Sequence, residues 1–137
     1  MKKKFSKYWR SSKQPRKQKK YLANATLKDR RKFLSAMLSK ELRKKYRRRS
    51  IPVRKDDEVK IMCGQFRNIR GKIVRVFLKK SRIHVENVQF IKKDGSKTHY
   101  PIHPSNVMIV SLNLDDKERR RIFERIKNGS PKEIGGT

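Results

Sequence analysis

The middle of the chain alternates apolar and polar residues with a period of two, which is typical of half-buried β-strands. The alternation is clearest around Val59 and around Ile83. Between two further strand-like runs, the sequence "KDGS" at 93–96 contains an Asp-Gly pair, which predicts a hairpin with a type I′ turn. Roughly four to six short strands without intervening helices predict a small antiparallel barrel over residues 50–112.

A glycine-bounded loop interrupts the first pair of strands, in the sequence "GQFRNIRGKIVRV" at 64–76. Gly64 and Gly71 stand at its ends, where a missing Cβ permits positive φ or the close approach of another backbone. Asn68 is the non-glycine residue best suited to the left-handed region. We therefore predict a tight loop that displays polar side chains, followed by a strand over 71–77.

Helical periodicity precedes the barrel, and residues 26–49 are predicted to form two short basic helices. Thr26 and Asp29 match a capping pair, and the leucine spacing that follows predicts a first helix reaching Leu38. A second helix is predicted to begin at Ser39. Both are too short to persist alone in water, so each is expected to order against a partner.

A last helix is predicted over 113–128, starting at the pair formed by Asp115 and Glu118 and stopped by Gly129. Residues 129–137 are predicted to be a mobile tail. The arginines of this helix are expected on its exposed faces, where they could reach phosphate groups: Arg119, Arg120, Arg121 and Arg125.

Charge changes this picture most at the N-terminus. The 137 residues carry a formal net charge of +29, and 21 Lys and Arg against 2 acidic residues in the first 50 supply most of it. Only 34% of the chain is hydrophobic, and such a composition predicts a basic arm over 1–25 that stays extended and disordered until a polyanion neutralises it. A nucleic acid fits this arm better than a membrane, because no sustained apolar face is present. Aromatic residues of the arm could stack on unpaired bases or dock on the protein itself.

No catalytic or metal-binding constellation is visible in the sequence. The single cysteine, Cys63, excludes an internal disulfide and a Cys-based zinc site. His84, His99 and His103 fall on separate predicted elements without ligand spacing, and the acidic run 56–58 is interpreted as local charge balance. We predict a soluble intracellular protein that is not an enzyme and needs no cofactor or metal, since the sequence shows neither an apolar leader nor a nucleotide-binding fingerprint.

The segment "DDEVKIMCGQFRNIRGKIVRVFLKKSRIHVE" at 56–86 resembles a KOW motif. Together with "LSKELRKKYRRRSIPVRKDDEV" before it and "IHPSNVMIV" after it, the chain resembles, over roughly 18–127, the large-subunit ribosomal protein family twenty-four in its eukaryotic and archaeal form, twenty-six in eukaryotic numbering. The resemblance implies a mainly β fold with short helices: an SH3-like antiparallel barrel with an extended basic arm, a helical extension and a C-terminal helix.

The same resemblance implies partners and a place in the cell. The partners would be large-subunit ribosomal RNA and neighbouring ribosomal proteins, near the exit of the nascent-chain tunnel, with an early role in subunit assembly. No membrane insertion and no homo-oligomer are expected. The location would be the cytoplasmic ribosome, with assembly in the nucleolus if the source is eukaryotic.

Two sets of RNA contacts are predicted. The resemblance implies contacts by the motif and by the segment after the barrel hairpin: Gly64, Gln65, Arg67, Asn68, Arg70, Gly71, Lys72, His103, Pro104, Ser105 and Asn106. The second set consists of basic clusters in the arm, in the two short helices and after the second barrel strand, together with one aromatic residue of the arm. Its members are Lys2, Lys3, Lys4, Lys7, Trp9, Arg10, Lys13, Arg16, Lys17, Lys19, Lys20, Arg30, Arg31, Lys32, Arg43, Lys44, Lys45, Arg47, Arg48, Arg49, Lys79 and Lys80.

Two other functions remain open from the sequence. KOW motifs also occur in transcription elongation and chromatin factors, where the barrel is a protein-interaction module. A free-standing nucleic-acid chaperone would share the basic composition without remaining in a stable particle.

Overall fold

The computed structural model describes residues 8–9 and 12–128, with side chains through residue 124. Its strands are β1 (Ser35–Leu38), β2 (Ser50–Pro52), β3 (Glu58–Ile61), β4 (Arg70–Phe77), β5 (Arg82–Val85), β6 (Gln89–Ile91), β7 (Lys97–His99) and β8 (Val107–Ser111). Its helices are α1 (Pro15–Asn24), α2 (Leu27–Phe33), α3 (Lys40–Tyr46) and α4 (Lys117–Asn128), with a 3₁₀ turn at Pro104–Asn106.

Six strands form one sheet in the order β2-β1-β8-β3-β4-β5, and β6 and β7 form a separate hairpin. All pairings of these strands are antiparallel except that of β1 with β8, which is parallel. A bridge between Ile83 and Ile102 ties the end of the hairpin segment back to β5. The predicted mainly β fold, a small SH3-like barrel with short helices at its ends, is confirmed.

The core is built from alternate residues of these strands. Val59, Ile73, Ile83 and Ile109 are completely buried, while their chain neighbours remain partly or fully exposed. Burying each aliphatic side chain of this size contributes about 1.5–3 kcal/mol. The period-two pattern around Val59 and Ile83 therefore predicted these two strands correctly.

The prediction that the first helix reaches Leu38 is wrong, because residues Ser35–Leu38 form the strand β1. The helix α2 ends at Phe33, and Leu34, Ala36 and Leu38 are all buried. The strand lies between β2 and β8, with its Met37 opposite Met108. The barrel thus begins before residue 50, and a fragment cut there would lose an inner strand of the sheet.

The expectation of an extended arm is wrong for Pro15–Asn24, which form α1. Pro15 stands at the first helical position, where its missing N–H and fixed φ suit a helix start, and the Lys and Gln residues that follow are good helix formers. Trp9 stacks on Tyr21 with ring centroids 4.4 Å apart, and Tyr21 contacts Phe33 at 5.8 Å. These aromatic residues therefore dock on the protein itself, which was one of the two predicted alternatives.

The helix starts follow the predicted caps at α2 and α3. The Oγ1 of Thr26 accepts from the N–H of Asp29 at 3.4 Å, and the Oγ of Ser39 accepts from the N–H of Leu42 at 3.3 Å. In α4 the cap is Asp116 instead of Asp115, because the Oδ1 of Asp116 accepts from the N–H of Glu118 at 2.8 Å. The short helix α3 is stabilised by the barrel, since its apolar residues pack on the core.

The β6–β7 hairpin is confirmed, but its turn is not of type I′. Of the two turn residues, only Gly95 has positive φ, at 82°, and Asp94 does not. The N–H of Gly95 donates to the carbonyl of Lys92 at 3.0 Å, and Ser96 donates from both its N–H and its hydroxyl to Asp94 Oδ1. The longer loop requires only one left-handed residue, as in turns that end in a glycine bulge.

A buried ion pair joins the residue directly before β3 to α4. The guanidinium of Arg119 donates to both carboxylate oxygens of Asp57, at 2.5 and 2.7 Å, and both residues are at most 1% exposed. The same carboxylate accepts from the N–H groups of Arg54 and Asn113. The expected phosphate contact by Arg119 is therefore wrong, because its side chain is used inside the protein. The side chain of Arg125 lies outside the described residues.

Gly71 is required by packing and not by a left-handed backbone. A Cβ built on it would lie 3.0 Å from Cγ1 of Val85, a completely buried residue at the end of the neighbouring strand β5. Gly71→Val should destabilise the full chain by about 1–3 kcal/mol, as overpacked cores do. Urea unfolding should show this loss, whereas Lys72→Val, the same side chain at the next, exposed position of β4, should leave stability nearly unchanged. Equal unfolding midpoints for the two variants would contradict the packing role.

Candidate nucleic-acid interface

The KOW motif loop and the segment before β8, which the resemblance predicts to contact RNA, meet at one groove. The loop between β3 and β4 forms one wall with Gly64 and Gln65, and the segment before β8 forms the other with His103 and Asn106. The groove has a volume of about 500 Å³. The N–H of Met62 donates to the carbonyl of Asn106 at 2.8 Å and ties the two walls together. Residues some forty positions apart in sequence thus form one surface, hereafter the KOW groove.

The β3–β4 loop holds its shape through backbone hydrogen bonds. Gly64 has φ 90° and Asn68 has φ 70°, so the prediction of left-handed geometry at Asn68 is confirmed. The N–H of Arg67 donates to the carbonyl of Gly64 at 3.1 Å, and that of Asn68 donates to the carbonyl of Ile61 at 2.9 Å. The side chains of Gln65, Arg67 and Asn68 are left exposed around this frame.

His103 is held in its neutral form. Its Nδ1 accepts from the N–H of Ser105 at 3.2 Å and lies 2.7 Å from the Ser105 hydroxyl, so the ring proton belongs on Nε2. Burial lowers the pKa of His103 below its usual 6.5, and the positive charge of Arg82 lowers this pKa further. At neutral pH the KOW groove therefore offers one fixed cation, Arg82, beside an uncharged imidazole.

This lowered pKa predicts a pH dependence of stability. Between the folded-state pKa and 6.5 the unfolded chain binds more protons at His103 than the folded chain does, so the free energy of unfolding falls as pH drops through that window. His84, whose pKa is lowered by burial and then by the charges of His99, Arg75 and Lys80, acts in the same direction.

We expect His103→Asn to lose part of this dependence. Its amide oxygen can still accept from the N–H of Ser105, but the side chain does not titrate. Urea unfolding of both proteins at two pH values, one above and one below the usual histidine pKa of ~6.5, provides the measurement. The wild type should lose more stability on acidification than the variant, and equal losses would show that His103 does not titrate as described.

The basic surface lies mainly on the helices before the barrel and on nearby loops. Among the predicted contacts, the structure exposes Lys13, Arg16, Lys17, Lys19, Lys20, Arg31, Lys32, Lys44, Lys45, Arg47, Arg48, Arg49, Arg70, Lys72, Lys79, Lys80 and Ser105. Lys2, Lys3, Lys4, Lys7 and Arg10 lie outside the described residues. The exposed basic groups remain candidates for phosphate contact, because their side chains are accessible to a partner.

Other predicted contacts have internal roles. The guanidinium of Arg30 donates to the carbonyls of Ala23, Ala25 and Lys79 and so joins α1 and α2 to the β4–β5 turn. Arg43 donates from Nε to the carbonyl of Leu38 at 2.7 Å. Pro104 is buried, Gly71 is partly exposed with Val85 directly beside its Cα, and Trp9 is stacked on Tyr21. These residues therefore have contacts within the fold, and RNA contact by any of them stays a prediction.

The sequence interpretation missed several groove residues, among them Arg82 and Tyr100. Arg82 and Tyr100 both line the KOW groove, and Tyr100 lies 5.3 Å from Phe66 between ring centroids. Neither belongs to the glycine-bounded loop, and the pairing of β4 with β5 and the Ile83–Ile102 bridge bring them there. The local signal that could have found Tyr100 was its position as an aromatic residue directly before "PIHPSN".

The structure also brings together His84 and His99, whose rings stack with centroids 5.5 Å apart. Among the described residues, no group of three or more His, Cys, Asp or Glu side chains is arranged to hold a metal ion. In the same part of the chain, no helix has both the length and the apolar character needed to cross a membrane.

Similarity to known proteins extends over nearly all of the described residues. Residues 12–126 match the family model for ribosomal proteins L26 of eukaryotes and their archaeal counterparts, which carry the number twenty-four. A relative from Methanothrix thermoacetophila, named large ribosomal subunit protein uL24, is 51% identical over 114 residues, which cover 83% of this chain and 98% of the relative. The family match includes the N-terminal helices and most of α4 as well as the barrel that carries the KOW groove. The chain therefore belongs to the ribosomal protein family that comprises eukaryotic L26 and archaeal uL24.

Proposed function

We propose that this protein is a non-catalytic structural constituent of the large ribosomal subunit that binds large-subunit ribosomal RNA. The observation that carries the proposal is the family match over residues 12–126. The similar protein from Methanothrix thermoacetophila is named as a large-subunit component, and the present chain covers almost all of it. A structural role also agrees with the net charge of +29, which few partners other than a polyanion can neutralise.

The binding surface would have two parts. The KOW groove would contact RNA through its loop and Arg82, and the basic helices α1 to α3 would contact phosphates on the surrounding RNA. Most of these groups are Lys and Arg side chains on exposed surfaces, which position a protein on the backbone without reading sequence. Binding should therefore depend strongly on salt.

The finer parts of the proposal follow from the family resemblance. The protein would join the subunit early in its assembly, contact neighbouring ribosomal proteins and lie near the exit of the nascent-chain tunnel. Its location would be the cytoplasmic ribosome, with nucleolar assembly if the source is eukaryotic. The match extends far beyond the KOW segment at 56–86, and this favours a ribosomal role over an elongation factor that shares only the motif.

Fractionation of a cell extract on a sucrose gradient tests the proposal. Epitope-tagged protein should sediment with the large subunit and should remain there at moderate salt. Protein found only in the light fractions would contradict the ribosomal assignment. Release at moderate salt, with binding to free RNA retained, would instead favour a nucleic-acid chaperone.

A further inference from the structure

The KOW groove is a preformed concave site. Contact with the phosphate backbone of an RNA duplex would not require such a site. Its floor is apolar, formed by the buried Ile61 and Ile102. Ile102 is fixed by reciprocal backbone hydrogen bonds with Ile83, at 2.8 and 3.0 Å, and the opposite wall is tied by the bond between Met62 and Asn106. A volume of about 500 Å³ lies within the range of ~300–1,000 Å³ that is usual for sites of small ligands.

The groove offers an aromatic surface at its rim. Tyr100 is 43% exposed and is supported by Phe66, with ring centroids 5.3 Å apart and planes inclined by 51°. Phe66 itself packs on the hydrophobic core, so the pair is held in place. An exposed ring on a rigid support is the usual platform on which proteins stack an unpaired base.

Polar groups surround this aromatic surface. The amides of Gln65 and Asn106 carry both donors and acceptors, which suits the edge of a base. Arg82 supplies a positive charge, and no carboxylate is found among the described residues that line the groove. The neutral His103 adds a further polar group without adding charge. Apolar floor, aromatic rim, amides and one cation match the parts of a single nucleotide: base, base edge and phosphate.

We propose that the KOW groove holds one unpaired nucleotide of the RNA, with its base against Tyr100 and its phosphate near Arg82. The inference rests on the proposed binding of ribosomal RNA, and it specifies the bound feature as a nucleotide in a bulge or a loop. A duplex keeps its bases stacked inside and could not fill the groove. The basic helices would supply affinity, and the groove would supply the preference for an RNA with an extruded base.

Two RNA hairpins test this assignment with the full-length protein. One carries a single bulged 5-iodouridine, and the other is the same hairpin fully paired. The wild type should bind the bulged hairpin more tightly at fixed salt. Tyr100→Leu should reduce that preference by about 5- to 150-fold, because stacking on one aromatic side chain commonly accounts for ~1–3 kcal/mol. Phe77→Leu is the control, since the partly exposed ring of Phe77 packs against Arg75 and His84 instead of Tyr100 and is not among the residues that line the groove.

Photo-crosslinking supplies a second measurement that does not depend on the variant folding well. Irradiation of the wild-type complex should join the iodouridine to Tyr100 or its groove neighbours, as read by mass spectrometry of the peptides. Crosslinks found only on the basic helices would overturn the assignment. Equal affinity for the two hairpins would also overturn it while leaving RNA binding intact, and absence of binding to either hairpin would reject both proposals.

A different occupant would give another result. If the groove receives a side chain of a neighbouring ribosomal protein, Tyr100→Leu should leave both RNA affinities unchanged. It should then weaken retention of the tagged protein in the large subunit. This combination would also overturn the nucleotide assignment.

Discussion

Replacing Arg119 by Met should cost the protein about 3–5 kcal/mol of unfolding free energy, the largest loss we expect from any of the single substitutions considered. Arg119 and Asp57 are fully buried, and the variant would leave the Asp57 carboxylate without its two charge-assisted hydrogen bonds. The N–H groups of Arg54 and Asn113 would remain as donors, but they do not neutralise the charge. Small domains have total stabilities of only ~5–15 kcal/mol, so such a loss is a large fraction of the whole.

The matched control for this prediction is Arg121→Met. Arg121 lies on the same helix and also forms an ion pair, with Glu118 at a distance of 2.5 Å, but both side chains are more than half exposed. Exposed helical pairs of this kind are worth ~0.2–0.5 kcal/mol. Thermal unfolding should therefore show a decrease of more than about 10 °C for Arg119→Met and almost none for Arg121→Met.

A double variant separates the ion pair from simple packing. Asp57→Asn should also be strongly destabilising, because it leaves a buried guanidinium without a counter-charge. Asp57→Asn combined with Arg119→Met removes both charges, and its loss should be clearly smaller than the sum of the two single losses. Additive losses, or a melting temperature of Arg119→Met equal to that of the control, would show that the pair does not hold α4 to the barrel.

Local signals predicted local features well. The caps at Thr26 and Ser39 and the left-handed geometry at Asn68 each depend on one or two side chains and their own backbone. The burial of Val59 and Ile83 follows from the period of their strands. Such features form in nearly the same way whatever the rest of the fold does, and the sequence contains all the information that they need.

Features that depend on distant partners were missed. Leu34 and Leu38 are four residues apart, which fits one face of a helix and one face of a strand equally well, and only pairing with β8 decides between them. Arg119 looked like its exposed neighbours because its partner, Asp57, is 62 residues away. The KOW groove shows the same limit, since its loop was visible in the sequence but Arg82 and Tyr100 were not.

The second large effect concerns the basic face of α1. Arg16, Lys19 and Lys20 lie within about 100° of one another on a helix with 3.6 residues per turn, on the side away from Tyr21, which packs on Trp9 and Phe33. All three are exposed. If they contact phosphates, their combined replacement by Gln should lower the slope of log affinity against log salt by about 2–3, at ~0.7–0.9 per lost contact.

The slope change has a direct consequence for affinity. When salt is raised about fourfold, from ~50 to ~200 mM, binding of the wild type to in-vitro transcribed large-subunit RNA should weaken by about 20- to 40-fold more than binding of the triple variant. Gln is nearly as good a helix former as Lys and Arg, so α1 should keep its structure, which circular dichroism can verify. The experiment thus changes charge while leaving the shape of the helix in place.

A second triple variant, with Lys92, Lys93 and Lys97 replaced by Gln, removes the same charge from the tip of the β6–β7 hairpin, which is exposed but outside the predicted RNA contacts. If attraction depends only on the net charge of +29, both variants should reduce the slope equally. If α1 lies on the RNA, only the helix variant should do so, because counterions are released by groups that reach phosphate and not by distant ones. A helix variant that keeps the wild-type slope would therefore remove α1 from the interface and leave the KOW groove and the remaining basic helices as its candidates. Equal reductions in both variants would show that the RNA does not distinguish α1 from the hairpin.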